Sequence, residues 1–244
     1  MRLTVLGSAG TYPVRGRPGS GYLIEHEGTR VWCDAGPGTM VELPVDLAEV
    51  DAVFISHQHP DHCLDVIIAT HVLAYGARPR FGVPLYGPQS ALQAVIGFVD
   101  GGRINEVFDL RPLDDGQKVE IGALQLTVAT SDHSVPTLAS RWESEHRSLC
   151  YSADTGPAGD WMRLAYESDV FLCEASYQGE PGAEEYPHHL TAGEAGEIAR
   201  TAGARRLMLT HIPPRLDPAR SVIEAEAKFD RPVSLAVPGA STTL

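Results

Sequence analysis

Cysteine is scarce in this 244-residue chain: Cys33, Cys63, Cys150 and Cys173 are the only four, and no two form a CxxC pair. That argues against a disulfide-stapled scaffold or a thiolate zinc knuckle. Three of them sit inside apolar runs and read as small buried fillers; Cys63, beside His62, is the candidate for an oxidation-sensitive thiol. No apolar stretch approaches the roughly 20 residues of a membrane-spanning helix, so no membrane partner is expected. The N-terminus enters a strand pattern at once, without a charged n-region or cleavage site, which points to the cytoplasm. Basic charge is also lacking. The 19 Lys and Arg stand against 32 Asp and Glu, for a net charge of −13. A broad nucleic-acid footprint needs a basic patch to displace counterions, so extended nucleic acid is not an expected partner. Repeats, low-complexity tracts and long linkers are absent too. With 43% hydrophobic and 21% charged residues, the chain reads as one soluble globular domain over residues 1–244.

What the chain does have is histidine in one particular place. His57-Gln58-His59-Pro60-Asp61-His62 follows directly on the apolar run 52–56. Four metal-capable side chains in six residues are too close together to share one face of a regular element. A loop leaving a strand end can instead fan them around two adjacent ions. His57 and His59 alternate in the strand sense and can converge on one ion, while Asp61 and His62, one turn further on, can reach a second. Imidazoles with a carboxylate suit Zn²⁺ first, with Mn²⁺ or Fe²⁺ as alternatives. Further polar residues emerge where later apolar runs stop: His133 after 124–130, Asp154 after 149–153 and His211 after 206–210. Taken singly, His133 or His211 would more often be a capping or satisfied core histidine. Beside the hexapeptide they become the expected missing ligands, and the two oxygens of Asp154 can bridge two ions.

These motifs resemble the metallo-β-lactamase superfamily, and within it the ribonuclease Z-like phosphodiesterases. The resemblance runs from Leu3-Thr4-Val5-Leu6-Gly7-Ser8 through Asp34-Ala35-Gly36-Pro37-Gly38 and the histidine hexapeptide to Tyr151-Ser152-Ala153-Asp154-Thr155-Gly156. It continues in Cys173-Glu174-Ala175-Ser176, His189-Leu190-Thr191 and Thr210-His211. It implies a four-layer αββα sandwich, where the strand and helix pattern alone supports only mixed α/β. It also implies two divalent ions, one held by His57, His59, His133 and Asp154, the other by Asp61, His62, Asp154 and His211. Asp34 would support the histidine loop through hydrogen bonds; an Asx turn capping Gly-Pro is a compatible alternative. A homodimer is implied as well.

Phosphodiester cleavage leaves an alkoxide that must be protonated, and a histidine can do that if a carboxylate holds its tautomer. In the ribonuclease Z-like group the residues matching Glu174 and His189 have that kind of role. The chain has Cys-Glu-Ala-Ser where ribonuclease Z usually shows His-Glu-Ala-Thr, keeping the glutamate but not the preceding histidine. Asp61 would orient or deprotonate the nucleophile. Arg15 and Arg17, in the breaker-rich loop 7–21, could clasp phosphate oxygens; His26, His71 and His146 read as structural or surface residues, and His188 is left open.

Strands are expected at 3–6, 21–26, 30–34, 53–56, 85–86, 124–130, 138–143, 148–152, 170–174, 207–210 and 233–237. Helices are expected at 62–75, with Ile67, Ile68, Val72 and Tyr75 at helical spacing, and at 89–99, 160–168, 192–202 and 221–228. The helix at 192 carries a capping box of Thr191 and Glu194. Ribonuclease Z proper grips tRNA with a long arm between the strands that bear the residues matching His133 and Asp154. Here residues 134–153 read as a plain hairpin. The expected substrate is therefore a small phosphodiester, a cyclic nucleotide foremost, hydrolysed at a dinuclear centre. The rivals are a ribonuclease Z-type tRNA 3′-processing endonuclease, a thioester or other-bond metallohydrolase, and a degenerate scaffold. The complete ligand set speaks against the last.

Overall fold

The computed structural model describes residues 1–98, 101–180 and 188–244. Among them two seven-stranded sheets pack face to face. The first contains β1 (Arg2–Gly7), β2 (Gly21–His26), β3 (Thr29–Ala35), β4 (Ala52–Phe54), β5 (Val83–Gly87), β6 (Phe108–Pro112) and the C-terminal β14 (Ser241–Thr243), in the order β14-β1-β2-β3-β4-β5-β6. The second contains β7 (Lys118–Ile121), β8 (Leu124–Thr130), β9 (Leu138–Glu143), β10 (Ser148–Tyr151), β11 (Val170–Glu174), β12 (Leu207–Thr210) and β13 (Val233–Leu235), in the order β13-β12-β11-β10-β9-β8-β7. Each sheet begins as an antiparallel meander and continues as parallel strands. The parallel crossovers carry α1 (Pro60–Cys63), α2 (Asp65–Tyr75), α3 (Gln89–Phe98) and α4 (Gly101–Val107) in the first half, and α5 (Ala192–Thr201) and α6 (Pro218–Phe229) in the second.

Alternation along the strands explains the layering. On β2 and β3, Tyr22, Ile24, Val31 and Cys33 face the other sheet, while Leu23 and Trp32 face the helices α2 and α3. On β11, Val170 and Leu172 point to the inter-sheet core, and Phe171 and Cys173 to α5 and α6. Strands buried on both faces need continuous apolar runs, which is how they read in the sequence. The αββα sandwich expected from the resemblance is the observed architecture. No helix among the described residues is long and apolar enough to cross a membrane.

Several local expectations need correction. The helix expected at 62–75 is two, α1 and α2, and the buried residues of α2 are Val66, Ala69, Thr70 and Leu73. Ile68, Val72 and Tyr75 are exposed instead; α2 is apolar on most sides, so spacing alone cannot select the face that docks. The helix at 160–168 is a shorter 3₁₀ segment, Asp160–Ala165. The last helix begins three residues early, because Asp217 caps it and Pro218 occupies its first turn. Val99, the end of another expected helix, lies outside the described residues. All four cysteines are free and buried. Burial pushes the Cys63 thiol up to about 12, which disfavours its thiolate.

Candidate metal centre

The polar residues singled out in the sequence gather at the C-terminal rim of the parallel strands, where α/β sheets leave a crevice. His57 follows β4 within three residues. His59 is extended (φ −66°, ψ 144°) and Pro60 starts α1 at once, so Asp61 and His62 turn away from His57 and His59. Asp34, Ala153 and His211 all have left-handed backbone (φ 58°, 52° and 53°). Such conformations cost a non-glycine residue free energy and persist only where the surroundings hold them, and here all three stand at the rim. Close approach matters as well: a Cβ on Gly36 would lie 2.0 Å from the Asp61 carbonyl oxygen, and one on Gly10 would lie 2.4 Å from that of His211.

Three ligand-type groups result; one joins His189 to Asp154 and His211, and the other two match the expected ion positions. His57, His59, His133 and Asp154 present nitrogen and oxygen atoms to a common point, as do Asp61, His62 and His211. His59 Nδ1 is 3.0 Å from His57 Nε2 and 3.1 Å from His133 Nε2. Asp154 lies between the clusters. Its Oδ1 is 3.2 Å from His62 Nε2 and 3.4 Å from His211 Nε2, and its Oδ2 is 3.7 Å from His57 Nε2 and 3.9 Å from His133 Nε2. Asp61 Oδ2 is 3.2 Å from His211 Nε2 and accepts from the Thr11 backbone N–H at 2.8 Å.

The far ring nitrogens of four histidines are held by neighbours. His57 Nδ1 meets Ser56 Oγ at 3.0 Å, His62 Nδ1 meets Asp34 Oδ2 at 2.8 Å, His133 Nδ1 meets the His188 carbonyl at 3.0 Å, and His211 Nδ1 meets Ser176 Oγ at 2.9 Å. Such partners fix the ring orientation and turn the other nitrogen inward. Asp34 is the hub: it also accepts from the Ser56 N–H (2.7 Å), Ser56 Oγ (2.9 Å) and Tyr151 Oη (2.8 Å).

The residues fit a divalent cation on three counts. His62 Nε2 and Asp154 Oδ1 are buried without a hydrogen-bond partner among the described residues, which is costly unless something else satisfies them. Burial holds His57, His59 and His133 below the usual imidazole range, so they offer lone pairs rather than charge. Burial also opposes charge on His62, yet the carboxylates of Asp154, Asp61 and Asp34 override it and hold its pKa well above the ordinary value. Three buried carboxylates thus demand positive charge at that point.

Glu174, fully buried at the end of β11, accepts from His189 Nδ1 at 2.9 Å and from the Thr155 N–H at 2.7 Å. Ser176 Oγ donates to its other oxygen at 2.6 Å, which links Glu174 to His211. Burial works against charge on His189, but the Glu174 carboxylate outweighs it and the imidazole is pushed up to about 9. Sequence reasoning missed the supports Ser56, Tyr151, Ser176, Thr11 and the His188 carbonyl. Ser176 and Tyr151 lay inside the quoted motifs, whereas a backbone N–H or carbonyl leaves no residue-type signal. Arg15 is exposed, and Arg17 donates to the Ile212 carbonyl at 3.1 Å.

Comparison with known proteins agrees with this geometry. Residues 29–212 match the model of a family described as the Beta-lactamase superfamily domain. An uncharacterized protein of Mycobacterium leprae is 36% identical over 98% of this chain and 87% of its own length. A ribonuclease Z of Methanopyrus kandleri is 31% identical over 92% of this chain and 91% of its own. The crystal structure of the metallo-beta-lactamase fold protein YhfI from Bacillus subtilis superposes with a TM-score of 0.88, covering 99% of each chain at 24% identity.

Proposed function

The chain belongs to the beta-lactamase superfamily and is a metal-dependent hydrolase of its ribonuclease Z-like branch; from that premise we propose that it hydrolyses small phosphodiesters, cyclic nucleotides foremost, at a centre of two divalent ions. His57, His59, His133 and Asp154 would hold one ion, and Asp61, His62, Asp154 and His211 the other, with zinc as the first choice for imidazole-rich sites. Ions held there supply Lewis acidity toward the phosphoryl oxygens and an acidified water. Asp61, fixed by the Thr11 N–H, would orient the attacking water.

The observation that carries the reading is the pair of buried Glu174 and half-buried His189 beside the two clusters. Hydrolysis of a phosphodiester expels an alkoxide, a poor leaving group that gains most from a proton in the transition state. Glu174 occupies His189 Nδ1, so Nε2 delivers the proton to the departing oxygen. A thioester leaving group needs no such donor, which disfavours that rival chemistry.

Substrate size follows from β9 and β10. The segment between His133 and Asp154 forms a tight antiparallel hairpin, closed by Ser144 N–H to the Arg147 carbonyl at 2.9 Å, with no arm to grip a tRNA. A net charge of −13 adds long-range repulsion toward a polynucleotide. The 31% identity to an archaeal ribonuclease Z favours the second reading, tRNA 3′ processing. The direct test of the bond type is bis(p-nitrophenyl) phosphate with added Zn²⁺ or Mn²⁺. Turnover is expected; turnover of a thioester or lactam with none of the diester would sink the proposal.

A further inference from the structure

The candidate centre is assembled from both sheets. His57, His59, Asp61 and His62 come from the loop after β4 in the first sheet, and His133, Asp154 and His211 from the ends of β8, β10 and β12 in the second. The distance between the two groups therefore depends on how the sheets sit against each other. An apolar core does not set that closely, because the hydrophobic effect has no direction. Directional bonds across the interface are needed to fix it to tenths of an ångström.

Two tyrosines provide such bonds, crossing in opposite directions. Tyr22 on β2 places its hydroxyl 2.5 Å from Thr210 Oγ1 on β12, the residue before His211. Tyr151 on β10 donates to Asp34 Oδ2 at the end of β3 at 2.8 Å, and that same oxygen accepts from His62 Nδ1. The rings meet edge to face, with centroids 5.1 Å apart and planes at 63°. Both are 1% exposed or less, so water competes for neither bond, and in a low-dielectric core an unpaired polar partner is costly. Burial raises both phenols far above their usual range, so each hydroxyl keeps its proton. Tyr22 acts through Thr210 on His211, and Tyr151 through Asp34 on His62, both in one cluster; Asp34 also reaches His57, but one bond further, through Ser56 Oγ. His57 and His133 have nearer supports in Ser56 and the His188 carbonyl.

We propose that Tyr22 and Tyr151 are positioning residues that set the spacing of the two sheets at the centre, and through it the affinity of the Asp61, His62 and His211 position for its ion. This rests on reading the centre as a two-ion site. The test is zinc competition with a chromophoric chelator, comparing the parent with Tyr22→Phe, Tyr151→Phe and Thr210→Val, each of which keeps the side-chain volume. Trp142→Phe, in the same inter-sheet core, whose indole N–H donates to Ser140 Oγ on its own strand, is the packing control; circular dichroism checks the fold of each. One of the two zinc affinities should fall by about 10–100-fold in the three variants, the range for supports of metal ligands, while the other falls less. Tyr22→Phe combined with Thr210→Val should be no weaker than either alone, because they share one bond. Unchanged affinities, or equal loss at both positions with the same loss in Trp142→Phe, would overturn the proposal. A parent chain that binds no zinc would instead remove the two-ion reading and this proposal with it.

Discussion

Nε2 of His62 lies 3.2 Å from Oδ1 of Asp154, both atoms are buried, and neither has a hydrogen-bond partner among the described residues. The other Asp154 oxygen faces His57 and His133, so one carboxylate serves two clusters. Asp154→Ala should therefore lose both ions together, taking zinc content by elemental analysis from two per chain to less than one. His133→Ala should keep about one, since it belongs to a single cluster. Parent-like metal content in Asp154→Ala would show that the carboxylate is not a bridge.

The Glu174–His189 pair makes a prediction about leaving groups. General acid catalysis is worth roughly 10²–10⁴-fold where the leaving group is poor. His189→Ala should slow cleavage of an alkoxide-leaving diester by about 100-fold or more, and of bis(p-nitrophenyl) phosphate by less than about 10-fold. Zinc content should not change. Equal losses on both substrates would mean that His189 binds substrate or shapes the site.

The same pair has a pH signature. In the metal-free chain His189 is raised from 6.5 to about 9, with Glu174 outweighing burial. A raised folded value means that the imidazolium contributes fully to stability below about 6.5 and loses that contribution as pH climbs to about 9. Following the ring protons by NMR should place His189 near 9 in the metal-free parent. In Glu174→Gln it should fall, because burial and His62 then oppose the charge with only Asp154 in its favour. Bound ions lower both values, so in activity profiles the quantity to compare is the shift of the alkaline limb, which should move to lower pH in the variant. An identical titration in parent and variant contradicts the assignment.

Gly36 tests the backbone beneath the centre. Any Cβ there would stand 2.0 Å from the Asp61 carbonyl and 2.7 Å from the Ser20 nitrogen, both backbone atoms. Overpacking costs about 1–3 kcal/mol, and backbone cannot step aside as a side chain can. Gly36→Ala should lower Tm by several degrees and weaken zinc retention, whereas Gly28→Ala, with nothing within 4 Å of the added Cβ but a φ of +84°, should cost stability alone. Parent-like Tm and zinc binding in Gly36→Ala would contradict the packing described around Asp61.

Much of the fold was legible because its strands are buried on both faces. Runs such as Leu124–Thr130 and Leu207–Thr210 have continuous apolar character that periodicity finds directly. The edge strands β6, β7 and β14 were missed, being short and carrying exposed polar residues. The apolar face of α2 was misjudged because hydrophobic residues surround it. At the site, the clustered histidines and the residues closing each strand were readable from position. The supports were less so: Tyr22 and Thr210 are 188 residues apart, and nothing local in either segment announces their bond.

Substrate choice decides the account, and one assay addresses it: metal-loaded protein at physiological salt, offered 2′,3′- and 3′,5′-cyclic nucleotides and precursor tRNA in parallel. The short β9–β10 hairpin and the charge of −13 lead us to expect hydrolysis of a cyclic nucleotide with little or no processing of the tRNA. Efficient, accurate 3′ processing of the precursor with no cyclic-nucleotide hydrolysis would contradict it, leaving the metal centre intact but assigning it to the other substrate.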